Sequence, residues 1–185
     1  MIQIKRGMDI PILGAPRQAI EQAPEARAVA LVGFDYVGMK PTMAVREGDR
    51  VKLGQLLFTD KKTEGVRYTS PARGVISAVT RGSRRVLQSV VVEVEGDEAE
   101  SFAAYDADGA RALSAATVRE QLVQSGLWTA LRTRPYSKVP APDSEPAAIF
   151  VTAIDTHPLA ADPAVVIAEQ GDAFALGQDL LARLT

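Results

Sequence analysis

The chain has 185 residues, a mass of 19.7 kDa and 46% hydrophobic residues, so it can fill the core of one full domain and part of a second. Its 21 basic and 23 acidic residues leave a net charge of −2, which disfavours a nucleic-acid-binding protein because no basic excess holds a phosphate backbone. The absence of cysteine and the single histidine exclude thiol nucleophiles, disulfides, iron–sulfur ligation and a histidine-rich metal site within this chain.

The first half of the chain is predicted to be β structure. Short apolar stretches separated by glycines run to residue 94, and residues 90–95 alternate with the period of two that is typical of a strand. Residues 40–85 hold 11 basic and 4 acidic residues, whereas residues 93–108 hold 7 acidic and no basic ones. This segregation indicates a docking face, either for an acidic partner or for an anionic membrane surface. The alternative is a solvated β-surface whose charges keep the protein soluble.

A helix, a linker and a second unit are predicted next. Thr117 and Glu120 have the spacing of a capping box, and Gly126 is a suitable helix stop. Four prolines within residues 135–146 indicate a stiff, extended linker. The apolar run at residues 147–155 predicts a strand buried on both faces, and Asp172 can cap a terminal amphipathic helix. No apolar run approaches the ~20 residues of a membrane span, which indicates a soluble or peripheral cytoplasmic protein.

Two motifs in order resemble the biotinyl/lipoyl barrel-sandwich hybrid fold. A V-x-x-G-D-x-V-x-x-G-Q-x-L pattern occupies residues 45–57, and its partner segment is Pro71-Ala72-Arg73-Gly74-Val75. In such carriers a lysine at the hairpin tip between the motifs bears the cofactor, which makes Lys61 the candidate here. The neighbouring Lys62 and the extra turn at residues 63–65 depart from the carrier pattern and favour an ordinary solvated turn.

Longer strings resemble one family across essentially the whole chain. They are IKRGMDIP at residues 4–11, GFDYVGMKPTMAVREGD at 33–49, LFTDKK at 57–62 and SGLWTALRTRPYSKVP at 125–140. Together they look like the A subunit of the bacterial Na+-translocating NADH:quinone oxidoreductase (Na+-NQR). The family subunit is over twice as long, so we expect this sequence to be its N-terminal part.

The resemblance implies a peripheral subunit on the cytoplasmic face of the bacterial inner membrane. Its partners would be the other Na+-NQR subunits, through which it contacts the membrane, and ubiquinone, the substrate of the pump. Electrons from NADH would pass through flavins and an iron–sulfur centre in those other subunits while sodium is exported. The chain itself is expected to support quinone binding and assembly without a redox cofactor, and to be inactive when isolated.

Flavin binding is expected to be lost in this chain. Distant flavin-binding relatives continue their S-G-L stretch into a glycine-rich loop, where bare backbone approaches the flavin phosphate. Here Gly126-Leu127 leads into residues 128–134, which contain no glycine. Two alternatives remain open: a lipoyl/biotinyl-type carrier modified at Lys61, which would show a mass shift, and a flavin/NADH oxidoreductase module, which would be yellow.

A quinone site needs an apolar or aromatic wall and hydrogen-bond donors at the two carbonyls. Two segments have that mixture, and they supply the quinone-proximal candidates Phe34, Asp35, Tyr36, Gly38, Met39, Trp128, Arg134, Tyr136 and Lys138. The alternative is that the aromatics are core residues and the cations face solvent. No catalytic residue and no metal ligand is predicted in this chain, and the single histidine, His157, is interpreted as a loop residue.

The predicted fold class is α+β, in three parts. Residues 1–100 form a β-rich barrel-sandwich-like domain, and residues 101–146 form an acidic connector, a helix and a proline-rich linker. Residues 147–185 begin a Rossmann-like α/β domain whose remainder is expected to be missing from this sequence.

Overall fold

The computed structural model describes Gly7 and residues 11–185, so most of the opening motif at residues 4–11 lies outside the described residues. Two antiparallel sheets make up the first half. The strands are β1 Ala28–Val32, β2 Pro41–Met43, β3 Arg50–Val51, β4 Leu56–Asp60, β5 Arg67–Thr69, β6 Gly74–Arg81 and β7 Leu87–Val94. The strand order is β1-β7-β6-β3 in the first sheet and β2-β4-β5 in the second.

The two sequence motifs are joined by backbone hydrogen bonds. Gly48 and Gly54 have φ of 89° and 80°, in the left-handed region where side chains are strained, which explains the glycines of the first motif. The Gly48 N–H donates to the Ile76 carbonyl at 2.8 Å, and the Gly54 N–H donates to the Ser70 carbonyl at 2.8 Å. The Ser70 N–H in turn donates to the Gln55 carbonyl at 2.8 Å. These backbone hydrogen bonds pair the two motifs, as the motifs predict.

The core of this half is contributed by both sheets. In β7, Val90 and Val92 are fully buried while Val91 and Glu93 are more exposed, as the alternation predicted. The aromatic ring of Phe58 stacks on that of Tyr68, with centroids 4.6 Å apart. The other buried hydrophobic residues of this half are Val51, Leu57, Val66, Ile76 and Leu87.

Short helices follow the sheets. Within the described part of the chain they are α1 Ala107–Arg111, α2 Ala115–Ser125, α3 Pro163–Ala168 and α4 Gly171–Leu181, with a 3-10 turn at Leu127–Ala130 after α2. Residues 131–162 contain neither helix nor strand, and the four prolines of residues 135–146 lie within this stretch.

The start of α2 differs from the prediction, whereas its end agrees. Ser114 is the N-cap, and its Oγ accepts a hydrogen bond from the Thr117 N–H at 3.2 Å. Glu120 instead accepts a bond from the Gln124 side chain, so the capping box at Thr117 was wrong. Because serine is as good a cap as threonine, the helix begins about one turn earlier. Gly126, with φ of 85°, ends the helix as predicted.

The strand predicted at residues 147–155 was wrong. The segment forms no strand, and Phe150 and Ile154 are 88% and 65% exposed. A buried parallel strand needs neighbouring strands to hydrogen-bond with it, and the described residues offer it none. The terminal helix does form as α4, but Asp172 lies in its first turn and Gln170 holds the N-cap position.

Candidate functional site

The two segments that hold the quinone candidates converge in the structure. The first follows β1 through a 3-10 turn at Gly33–Asp35 and leads to Tyr36. The second follows α2, whose end is docked on β5: the Thr69 hydroxyl donates to the Ser125 carbonyl at 2.9 Å. A Cβ on Gly126 would lie 2.2 Å from the Thr69 Oγ1, so only glycine permits this approach.

Aromatic rings and a cation meet at this junction. The Tyr36 ring lies edge-on to the Tyr68 ring, with centroids 4.7 Å apart and an angle of 77° between the planes. The Arg132 guanidinium lies 5.4 Å from the centre of the Tyr36 ring, within the range of a cation–π interaction. Arg132 thereby ties the second segment to the first.

A cavity of about 150 Å³ lies beside these rings, and we call it the tyrosine cavity. An apolar protein cavity of about that size can hold one benzene ring. Its lining combines aromatic, apolar and charged side chains, contributed by Tyr36, Val37, Gly38, Met39, Asp60, Lys62, Thr63, Tyr68, Lys138 and Val139. The cavity therefore has the size of a single six-membered ring and carries both charge signs in its wall.

A buried carboxylate anchors one wall of the tyrosine cavity. Asp60 is only 8% exposed, and its Oδ1 accepts hydrogen bonds from the backbone N–H groups of Lys40 and Lys62, both at 2.9 Å. These bonds connect the residue before β2, the end of β4 and the start of the turn that follows β4. A carboxylate held by two backbone donors is fixed in position.

Both tyrosines of the cavity keep their protons at neutral pH. Burial raises the pKa of Tyr68, and the nearby Asp60 charge raises it further. Burial also raises the pKa of Tyr36, while the Arg132 charge and a hydrogen bond with the Thr129 side chain act in the lowering direction. A protonated phenol can donate a hydrogen bond to a ligand oxygen.

The structure brings some of the predicted site residues together and separates others. Tyr36, Gly38, Met39 and Lys138 all line the tyrosine cavity. Trp128 is only 3% exposed, and its indole N–H donates to the Pro140 carbonyl at 2.8 Å.

The remaining candidates lie away from the tyrosine cavity. Arg134, together with Trp128, lines a second cavity of about 780 Å³. Phe34 and Tyr136 are 69% and 73% exposed, and they line neither cavity; nor does Asp35.

Six residues of the cavity lining were not among the predicted candidates: Val37, Asp60, Lys62, Thr63, Tyr68 and Val139. Asp60 and Lys62 belong to the same LFTDKK string at residues 57–62 as Lys61, but the residues around Lys61 by themselves indicate only a carrier tip or a turn. Tyr68 lies in β5, and only the pairing of β4 with β5 places its ring next to Phe58. The one sequence signal that pointed to this cavity was Asp60, an acidic residue at the end of an apolar strand.

Three further features concern metals, membranes and the histidine. Among the residues that the structure describes, no cluster of three or more metal-ligating side chains is found. No helix in that part of the chain has the length and apolarity that crossing a bilayer requires. His157 lies in an exposed loop, as predicted, with its Nδ1 2.5 Å from the Asp155 carboxylate.

Comparisons with known proteins give consistent matches. Family models match the chain as the NqrA N-terminal barrel-sandwich hybrid domain, residues 2–95, and the NqrA second alpha/beta domain, residues 113–185. These matches confirm the predicted fold class.

Curated relatives match over the whole chain. Proteins named as the A subunit of Na(+)-translocating NADH-quinone reductase are 67% identical in Pseudomonas aeruginosa over 184 residues, 65% in Cellvibrio japonicus over 185 and 59% in Klebsiella pneumoniae over 185. Each match covers 100% of this chain and 41% of the relative. The chain thus spans about two fifths of the length of these relatives.

Proposed function

This chain belongs to the NqrA family, the A subunits of Na(+)-translocating NADH-quinone reductase, and on that premise we propose that it contributes a quinone site to such a pump. It does so as a peripheral subunit on the cytoplasmic face of the inner membrane, in contact with the other subunits. The observation that carries the proposal is the tyrosine cavity, which combines four of the predicted quinone-proximal residues in one place.

The size and lining of the tyrosine cavity suit a quinone head group. A volume of about 150 Å³ matches the six-membered ring alone, without its substituents or tail, and Met39, Val139 and the Tyr68 ring provide apolar and aromatic surface for it. Lys138 and the protonated tyrosines are donors for the quinone carbonyls. Reduction places negative charge on those oxygens, and the Lys138 ammonium stabilises that charge.

The subunit carries out this role without a redox cofactor of its own. The backbone after α2 is not open to a flavin phosphate, because Gly126 is packed against Thr69 and the following turn places Trp128 in the core. The stretch from Leu127 to Arg134 offers no other glycine for close approach. Electrons therefore reach the quinone from groups held by other subunits.

The proposal is tested by removing the Lys138 charge in the assembled complex. Lys138→Gln is expected to lower kcat/KM for a short-chain ubiquinone by about tenfold to a hundredfold, because hydrogen bonds to charged groups contribute roughly 1.5–3 kcal/mol. NADH oxidation with an artificial electron acceptor upstream of the quinone should stay unchanged. Lys52→Gln, an exposed lysine that does not line the tyrosine cavity, is the matched control. Equal quinone kinetics in both variants would refute the proposal.

A further inference from the structure

The hairpin between β6 and β7 ends in an unusual group of residues. The two strands are eight residues long each, and they remain paired up to Arg81 opposite Leu87. The connection carries Arg84, Arg85 and Val86 at its end. We call Arg81, Arg84, Arg85 and Val86 the arginine tip.

The backbone of the arginine tip holds cations where other residues fit better. Arg84 and Arg85 have φ of 55° and 60°, in the left-handed region that glycine or asparagine occupies at lower cost. Both side chains are exposed, as is that of Arg81. Within the described part of the chain none of the three forms an ion pair. The Arg81 guanidinium donates one hydrogen bond, to the Arg85 carbonyl at 3.2 Å. In the part of the chain that the structure describes, the three charges therefore have no acidic partner.

Apolar side chains surround the same end of the sheet. Gly33 packs so closely on β7 that a Cβ there would lie 2.1 Å from the Leu87 carbonyl oxygen. This contact places the end of β1 beside the arginine tip. Val32, Phe34 and Val86 are 40%, 69% and 48% exposed. Cations alternating with exposed apolar side chains are typical of surfaces that meet the headgroup region of a bilayer.

We propose that the arginine tip binds the anionic phosphate headgroups of a lipid bilayer, with Val86 and Phe34 entering the interface. A stable protein interface buries roughly 800 Å² on each partner and involves about 20–30 residues, far more than this narrow hairpin end presents. Lipid phosphates, in contrast, can be bound by a few neighbouring cations. Each Lys or Arg near the membrane surface strengthens the binding affinity by about tenfold or less. The chain thus contacts the membrane directly, in addition to contacts through partner subunits.

This inference stands on the hairpin geometry and does not depend on the quinone site. The two are nevertheless close in space, because the end of β1 lies beside the arginine tip and residues 33–35 lead from it to Tyr36 in the tyrosine cavity. The experiments are separate: vesicle binding needs no quinone, and quinone kinetics in the assembled complex need no free vesicles.

The test is vesicle binding by the full chain at low ionic strength. Arg84→Glu/Arg85→Glu is compared with Arg27→Glu/Lys52→Glu, which changes the net charge equally with exposed residues at the opposite end of the same sheet. On vesicles containing phosphatidylglycerol, Arg84→Glu/Arg85→Glu should bind at least about tenfold more weakly than the wild type. Arg27→Glu/Lys52→Glu should lose clearly less affinity. Vesicles of phosphatidylcholine alone should bind neither.

A labelled variant gives a second readout that does not alter the charges. Because the chain has no cysteine, Ser83→Cys places a single environment-sensitive fluorophore at the arginine tip, and Ser101→Cys places one at a distant exposed position. Phosphatidylglycerol vesicles should shift the emission of the first label only. Equal losses in both charge variants, or shifts of both labels, would overturn the proposal. So would binding to an acidic polypeptide without binding to the vesicles.

Discussion

Single residues decide how closely the strands of this chain approach each other. Gly74 is the glycine of the second motif, and it lies opposite Val94 where β6 pairs with β7. A Cβ at this position would lie 1.8 Å from the Glu93 carbonyl oxygen, well inside van der Waals contact. Gly74 is not among the residues with positive φ. Glycine is therefore required here because a side chain has no room, not because of the backbone conformation.

Gly74→Ala is therefore expected to lower the free energy of unfolding by about 1–3 kcal/mol, the usual cost of overpacking. Gly171→Ala is the control, because no atom lies within 4 Å of the Cβ position there. Urea denaturation of both variants measures the difference. A Gly74→Ala protein as stable as the wild type would show that β6 and β7 can separate without cost.

The two cavity tyrosines make stability depend on pH in the alkaline range. Their pKa values are raised above 10 in the folded chain, so the unfolded chain loses these protons first as pH rises. Their contribution to stability is complete below pH 10 and is lost progressively above it. Thermal unfolding followed from neutral to alkaline pH should show this decline.

Absorbance titration of the tyrosinates assigns the effect to residues. Tyr68→Phe should remove a fraction that ionises above pH 10, and Tyr136→Phe, at a 73% exposed position, controls for the loss of one chromophore. Tyr36 should still ionise late in Tyr68→Phe. A late-ionising fraction that is undiminished in this variant would show that Tyr68 does not contribute to it.

At the scale of elements, features set by a few neighbouring residues were predicted well from the sequence. Features that depend on a distant part of the chain, such as a strand's neighbour in the sheet, were predicted poorly. The motif containing Gly48 and Gly54 and the helix end at Gly126 were recognised from the sequence because a left-handed backbone has a local sequence signature. The strand at residues 147–155 failed because a strand depends on a neighbour that apolar composition does not reveal. The cap of α2 was misplaced because two adequate caps, Ser114 and Thr117, lie three residues apart.

The cap assignment gives a direct prediction. Ser114→Ala should destabilise α2 by about 1 kcal/mol, because the Thr117 N–H loses its acceptor. Glu120→Ala should have little effect, since this side chain bonds only to Gln124 on the exposed face. Chemical denaturation of the two variants compares them. A larger effect for Glu120→Ala would restore the capping box that the structure rejects.

At the scale of the whole molecule, the family and the fold class could be predicted but the tyrosine cavity could not. Motifs in a fixed order are visible in the sequence itself, and the family models match both halves accordingly. The cavity combines residues from separate parts of the chain, such as Tyr36, Asp60, Tyr68 and Lys138, and only strand pairing and the return of the linker bring them together. The domain division at residues 100 and 146 stays a prediction.

Photoaffinity labelling of the assembled complex tests the proposed quinone site most directly. A short-chain ubiquinone analogue with a photoreactive group is bound, irradiated and mapped by peptide mass spectrometry, with and without excess ubiquinone. The tyrosine cavity predicts labels within residues 36–39 and at or beside Lys138, and these labels should disappear when ubiquinone competes. Competable labels found only in other subunits would contradict a quinone site in this chain.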